Sequence, residues 1–190
     1  MRIVGGRWRG RRLAPVGAGD ADAHLRPTTD RVREAVFNTL AHGPLAVDLE
    51  GAKVLDAFAG TGALGWEALS RGAATALFLE RGRAGLALLR ANMALLRVPP
   101  DTARIVARDA TRPGAGIPHD VVFLDPPYGR KLGEAALAAL LSNGWLAPGA
   151  AVVWEDRGPP DPVAGLAVLD VRRYGDTTVT YARAEAAAGG

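Results

Sequence analysis

The stretch Lys53–Glu80, "KVLDAFAGTGALGWEALSRGAATALFLE", places an apolar run, a glycine-rich turn, a helical segment and a second apolar run in direct succession. "KVLDA" and "ATALFLE" have the length and content of buried strands, and "GALGWEALSRG" between them reads as a helix. Strand and helix keep trading places downstream, through "RAGLALLRANMALLR", "ARIVARDA", "DVVFLDPPYG", "GEAALAALLSNG" and "AAVVWEDR". That order implies parallel strands joined by right-handed crossovers, so the expected fold is α/β and Rossmann-like, a mostly parallel sheet with helices on both faces. The end departs from it. "LAVLDVRRYGDTTVTYARA" reads as two strands around "YGDT", an antiparallel hairpin closing one sheet edge.

Upstream, "RPTTDRVREAVFNTLAH" carries a helix start, with Thr29 or Asp30 as cap and Val32, Val36 and Leu40 recurring every four residues. The opening "RIVGGRWRGRRLAPV" is broken by Gly5, Gly6 and Gly10 and suits a short basic hairpin better than a helix. At 190 residues, 48% hydrophobic and 23% charged, the chain has the make-up of one globular domain. It divides into a basic extension over residues 1–25, a core over 26–183 and a frayed tail, "AEAAAGG", over 184–190. With no cysteine and three scattered histidines, neither a disulfide framework nor a metal cluster is expected. No apolar run is long enough to span a bilayer and the start lacks a signal-peptide core, so a cytoplasmic protein, expected to be monomeric, is the default.

Charge is unevenly placed. Residues 1–33 hold eight Arg against three Asp, a net +5, whereas the whole chain carries +3. Within this region "RWRGRR" combines Arg7, Arg9, Arg11 and Arg12, whose guanidinium groups fork onto phosphates, with Trp8, a plane able to stack on a base. The combination suggests an RNA or DNA contact surface; a solvated basic strand with Trp8 tucked into the core is the plainer alternative.

In "DAFAGTGALG", Gly60, Gly62 and Gly65 satisfy G-x-G-x-x-G at a strand-to-helix junction, and Glu80 follows Gly60 by 20 residues, where a ribose-binding acid is expected. Two cofactor classes therefore compete. Asp56 at the end of the first strand would repel the pyrophosphate of a dinucleotide, but it would attract the ammonium and sulfonium of S-adenosylmethionine. Asp109, with Ala110 beside it, ends the third apolar run and suits an adenine amine. Acids at strand exits also serve merely to solvate turns or cap helices; three at successive strand ends, behind a glycine loop, favour a ligand site where open α/β sheets bind them. Asp56, Phe58, Gly60, Gly62, Glu80, Asp109 and Ala110 are thus the candidate cofactor contacts.

"DPPY" after the fourth strand supplies the chemistry. An exocyclic amine on a nucleobase is a weak nucleophile because its lone pair is delocalised into the ring. The Asp125 carboxylate and the Pro126 carbonyl can each accept one N–H, turning the lone pair toward a sulfonium methyl. Pro126 and Pro127 fix φ near −65° and hold the acceptors in place beforehand, and Tyr128 can stack on the base. Asp125, Pro126 and Tyr128 are the candidate catalytic residues.

Taken together, "MRIVGGRWRGRRL", "RPTTDRVREAVFNTL", "LDAFAGTGALGWEALSRGA", "LFLE" and "FLDPPYG" resemble the bacterial 16S ribosomal RNA guanine-N2 methyltransferases of the RsmD type. The resemblance runs from the first residue to about Gly129 and more loosely to the closing hairpin. It implies a class I methyltransferase fold, S-adenosylmethionine as cofactor, and 16S rRNA as substrate within a small ribosomal subunit or an assembly intermediate. It also implies that Arg26 to Thr28 lie over the methionine end, where Arg26 meets its carboxylate. "DPPY" alone does not separate guanine N2 from adenine N6, so an adenine-N6 DNA methyltransferase stays open as a rival. So do an NAD-dependent oxidoreductase and a non-catalytic RNA-binding module.

Overall fold

The computed structural model describes residues 1–17, 29–127 and 131–185, so the expectations for Arg26, Thr28, Tyr128 and the last five residues of the tail lie outside the described residues. In chain order the elements are α1 (Asp30–His42), β1 (Lys53–Ala57), α2 (Ala63–Ser70), β2 (Thr75–Glu80), α3 (Arg83–Leu96) and β3 (Ala103–Ala107). They continue with β4 (His119–Leu124), α4 (Leu132–Ser142), β5 (Leu146–Asp156), β6 (Leu166–Tyr174) and β7 (Thr177–Ala184). They form one seven-stranded sheet in the order β3-β2-β1-β4-β5-β7-β6. The first five are parallel, and β7 runs antiparallel to both β5 and β6. The expected fold is borne out, hairpin included: "YGDT" is the turn, with Tyr174 opposite Thr177.

Alternation along each strand feeds two cores. Val54, Phe78, Phe123 and Val153 face α1, α2 and α3, while Leu55, Leu79, Leu124 and Trp154 face α4. Helix α1 is capped by Thr29, whose hydroxyl accepts the Val32 N–H, and its buried stripe of Val36 and Leu40 also takes in Phe37. The chain builds β1, β2 and β3 outward and then returns to lay β4 on the other side of β1. That reversal opens a crevice at the carboxyl ends of β1 and β4.

The amino-terminal arm is the short hairpin expected, with the Ile3 N–H on the Arg11 carbonyl at 2.9 Å and the Leu13 N–H on the Met1 carbonyl at 3.2 Å. One antiparallel bridge, Arg2 with Arg12, closes it around a 3-10 turn at Gly6–Trp8. Ile3 and Leu13 are buried and moor it to the core. A polar anchor does the rest: Glu67, wholly buried on α2, accepts the Val4 N–H at 2.8 Å and faces Arg71 at 2.8 Å and Arg33 at 3.5 Å. Ser70, in the last turn of α2, accepts the Trp8 N–H and donates to the Gly5 carbonyl. At the other terminus, strand β7 carries through Ala184, and the Glu185 N–H bonds the Gly165 carbonyl, so these two residues are structured rather than frayed.

Candidate active site

A cleft of about 960 Å³ opens at the carboxyl edge of the parallel strands, lined in part by Phe58, Gly60, Glu80, Ala110, Asp125 and Pro127. Residues from four separate sequence segments thus share one wall. Pro15 and Gly17 of the arm also line it, which no local sequence signal indicates.

The glycine loop is built around backbone that side chains resist. Gly62 sits at φ 75°, and a Cβ there would fall 2.5 Å from the Trp66 indole nitrogen. A Cβ on Gly65 would meet the Phe78 ring at 2.4 Å. Phe58, which is not a glycine, adopts φ 61°, an unfavourable backbone held at the cleft wall.

The donors of this loop are already engaged. The Gly60 N–H donates to Glu80 at 2.8 Å, the Gly62 N–H to the Ala59 carbonyl at 2.6 Å, and the Gly65 N–H to Asp56 at 2.9 Å. A dinucleotide pyrophosphate needs such N–H groups for itself, and two of the three here point at carboxylates. The arrangement suits a ligand without phosphates. Glu80 also accepts the Gly82 N–H through its other oxygen, which fixes both oxygens at the rim where ribose hydroxyls would approach.

Asp109 accepts the backbone and hydroxyl protons of Thr111 at 2.9 and 2.8 Å and pairs with Arg81 at 2.7 Å. Partial burial pushes its carboxyl up, but the Thr111 bonds and the Arg81 guanidinium outweigh it and hold the group below its ordinary value. Its neighbour Ala110, rather than Asp109, reaches the cleft wall.

Asp56 lies deeper than a direct contact to the cofactor's ammonium requires. It is 2% exposed, on the face of β1 under the first turn of α2, and it is not part of the cleft wall. Burial first, then the charges of Glu80 and Glu155, against the Gly65 bond, push its carboxyl up to about 8. Asp125, next after β4, also lies well above the usual carboxylate range, through loss of solvent and then the fields of Glu155, Asp56 and Asp156. Leu124 pairs with Trp154, so Asp125 and Glu155 occupy the same level on neighbouring strands, on the face that Asp56 shares. Glu155 is 1% exposed. The sequence marks it by the same sign as the other acids, an acid ending an apolar run in "AAVVWEDR", yet it was not among the expected site residues.

On the arm, Arg9, Arg11 and Arg12 are exposed and face solvent. Trp8 is partly buried against the core, with the Arg7 guanidinium 4.2 Å from its ring centroid. A base stacking there would have to share the ring with Arg7.

The family model described as Conserved hypothetical protein 95 matches residues 1–183. The Ribosomal RNA small subunit methyltransferase D of Escherichia coli (strain K12) is 49% identical over 158 residues, 82% of this chain and 74% of that protein. Its counterpart from Haemophilus influenzae is 40% identical over 159 residues, 82% of this chain and 78% of that one. Among solved structures, the Escherichia coli protein yhhF superposes with a TM-score of 0.82 at 40% identity, across 97% of this chain and 98% of that one. A chain matched over this length, with the glycine loop, Glu80 and the Asp125 bracket around one cleft, belongs to the Conserved hypothetical protein 95 family, alongside the Ribosomal RNA small subunit methyltransferases D.

Proposed function

We propose that the protein methylates the N2 amine of a guanine in 16S ribosomal RNA, using S-adenosylmethionine, on the small subunit or an assembly intermediate. The observation that carries this reading is the convergence of Asp125 and Pro127 with Gly60 and Glu80 on one cleft. The bound cofactor supplies an electrophilic methyl group. Glu80 accepts from its ribose, Ala110 packs beside the adenine, and the glycine loop lets backbone approach closely. Asp125 on the cleft wall, with the buried Asp56 nearby, favours a cationic ligand: positive charge entering beside Asp125 stabilises its ionised form.

Asp125 then accepts one hydrogen of the guanine amine and the Pro126 carbonyl accepts the other, directing the nitrogen lone pair at the methyl. Forming the N–C bond would break the sulfonium S–C bond, whose electron pair stays on sulfur in the departing thioether S-adenosylhomocysteine, and the nitrogen, gaining positive charge, must lose a proton. Asp125, with its carboxyl raised, is suited to take it. Arg26 and Thr28 over the methionine end, and Tyr128 stacked on the base, complete the reading as it follows from the sequence. Arg9, Arg11 and Arg12 would neutralise RNA phosphates as the target is presented. The test is methyl transfer from labelled S-adenosylmethionine to unmethylated small subunits by the wild-type chain and by Asp125→Ala; label that persists in the variant refutes the assignment.

A further inference from the structure

Asn92 sits in the middle of α3 and is wholly buried, on the stripe that also buries Leu89 and Leu96. A polar side chain there is costly unless its groups are matched. Both are: its Oδ1 accepts the Ala14 N–H at 2.7 Å, and its Nδ2 donates to the Thr61 carbonyl at 2.9 Å. One amide therefore joins the arm to the glycine loop. The Thr61 carbonyl also accepts the Trp66 indole N–H at 3.1 Å, so this loop position is held from two sides.

The place of Ala14 is what gives the bond meaning. Before it come the exposed Arg9, Arg11 and Arg12; after it come Pro15 and Gly17, which line the cleft. Ala14 is the point where the arm passes from its solvent-facing arginines to the cofactor wall. We infer that Asn92 is a positioning residue that pins the arm to the cofactor loop and thereby links RNA binding to cofactor binding. This rests on the methyltransferase reading above. A cofactor in the cleft touches Pro15 and Gly17 and favours the seated arm; RNA on the arginines favours the same seated arm. Whichever binds first bears the ordering cost, and the second binds tighter, reciprocally. Val4 and Trp8, held by Glu67 and Ser70 on α2, keep the far part of the arm in place without reaching the loop.

The test is equilibrium dialysis of radiolabelled S-adenosylhomocysteine against wild type, Asn92→Leu and Ala14→Pro. Each is measured alone and with saturating small ribosomal subunits from a strain lacking this gene. Ala14→Pro removes the N–H donor while also fixing φ at that position, on the arm outside the helical core, and it carries the test if Asn92→Leu fails to fold. Wild type is expected to bind about 5-fold or more tighter with subunits present, the lower end of usual coupling. In both variants the ratio should fall toward 1. A residue that merely supports packing would lower the melting temperature and leave the ratio unchanged. An unchanged ratio in a folded variant, or a ratio of 1 in wild type, overturns the pin. Failure of wild type to bind S-adenosylhomocysteine at all refutes the methyltransferase reading itself.

Discussion

Two sets of carboxylates close the same edge of the sheet, and they are held in opposite ways. On the outer side, Glu80 and Asp109 are saturated by backbone N–H groups, a hydroxyl and Arg81. On the inner side, Asp56, Asp125 and Glu155 crowd one another on one face of the sheet, with Asp56 and Glu155 buried. The outer donors orient their two carboxylates, and Glu80 is the one of the two that lines the cleft, where hydroxyl groups would approach. Asp125, on the cleft wall, is the inner acid that a cationic ligand would meet. In the function proposed above, Glu80 serves recognition and Asp125 the chemistry.

The sharpest way to break this division is Asp125→Ala. It should lower the rate of methyl transfer by about 100-fold or more, the scale of losing a transition-state contact, while leaving S-adenosylhomocysteine affinity within a few-fold. Loss of affinity in place of rate would move Asp125 to the recognition set. Glu80→Ala should do the reverse, weakening cofactor binding by roughly 10- to 100-fold through loss of charge-assisted bonds, with the rate at saturation less affected. Isothermal titration separates the two effects.

The arm lies outside both sets, and replacing Arg9, Arg11 and Arg12 together by Ala should leave cofactor affinity measured without RNA unchanged. RNA binding should weaken, and the slope of log affinity against log salt should flatten by about 2 to 3. An unchanged slope would make these arginines plain surface charge.

A separate prediction concerns stability. Asp56 keeps its proton up to about pH 8 in the fold, whereas in the unfolded chain it loses it above 3.8. The folded form therefore holds the extra proton across that window, and its stability falls as pH rises through it. Asp56→Asn keeps an acceptor for the Gly65 N–H and should flatten the fall in melting temperature between pH 5 and 8. An equally steep fall in the variant would mean other groups dominate.

The βα alternation made the sheet legible, because parallel strands buried on both faces must be short and apolar while their helices show a longer period. The places of the glycine loop, Glu80 and Asp125 around the cleft were legible for the same reason: they sit at strand ends, where residue type and position coincide. The depth of Asp56 was not, because an acid's place after a strand does not reveal which face it turns to; the neighbouring helix start claimed it. The arm's entry into the cleft was hidden as well. Pro15 and Gly17 carry no motif, and the only trace is Asn92, a polar residue on an otherwise apolar helix stripe. The Glu67 and Arg33 anchor has no sequence signal, because charged residues in helices usually face water.

The most direct test of the central claim is transfer of tritiated methyl groups to small ribosomal subunits from a strain lacking this gene, followed by nucleoside analysis of the RNA. The account predicts label in N2-methylguanosine with the wild-type chain and none with Asp125→Ala. Label in N6-methyladenosine, or in N2-methylguanosine with the variant, would contradict it.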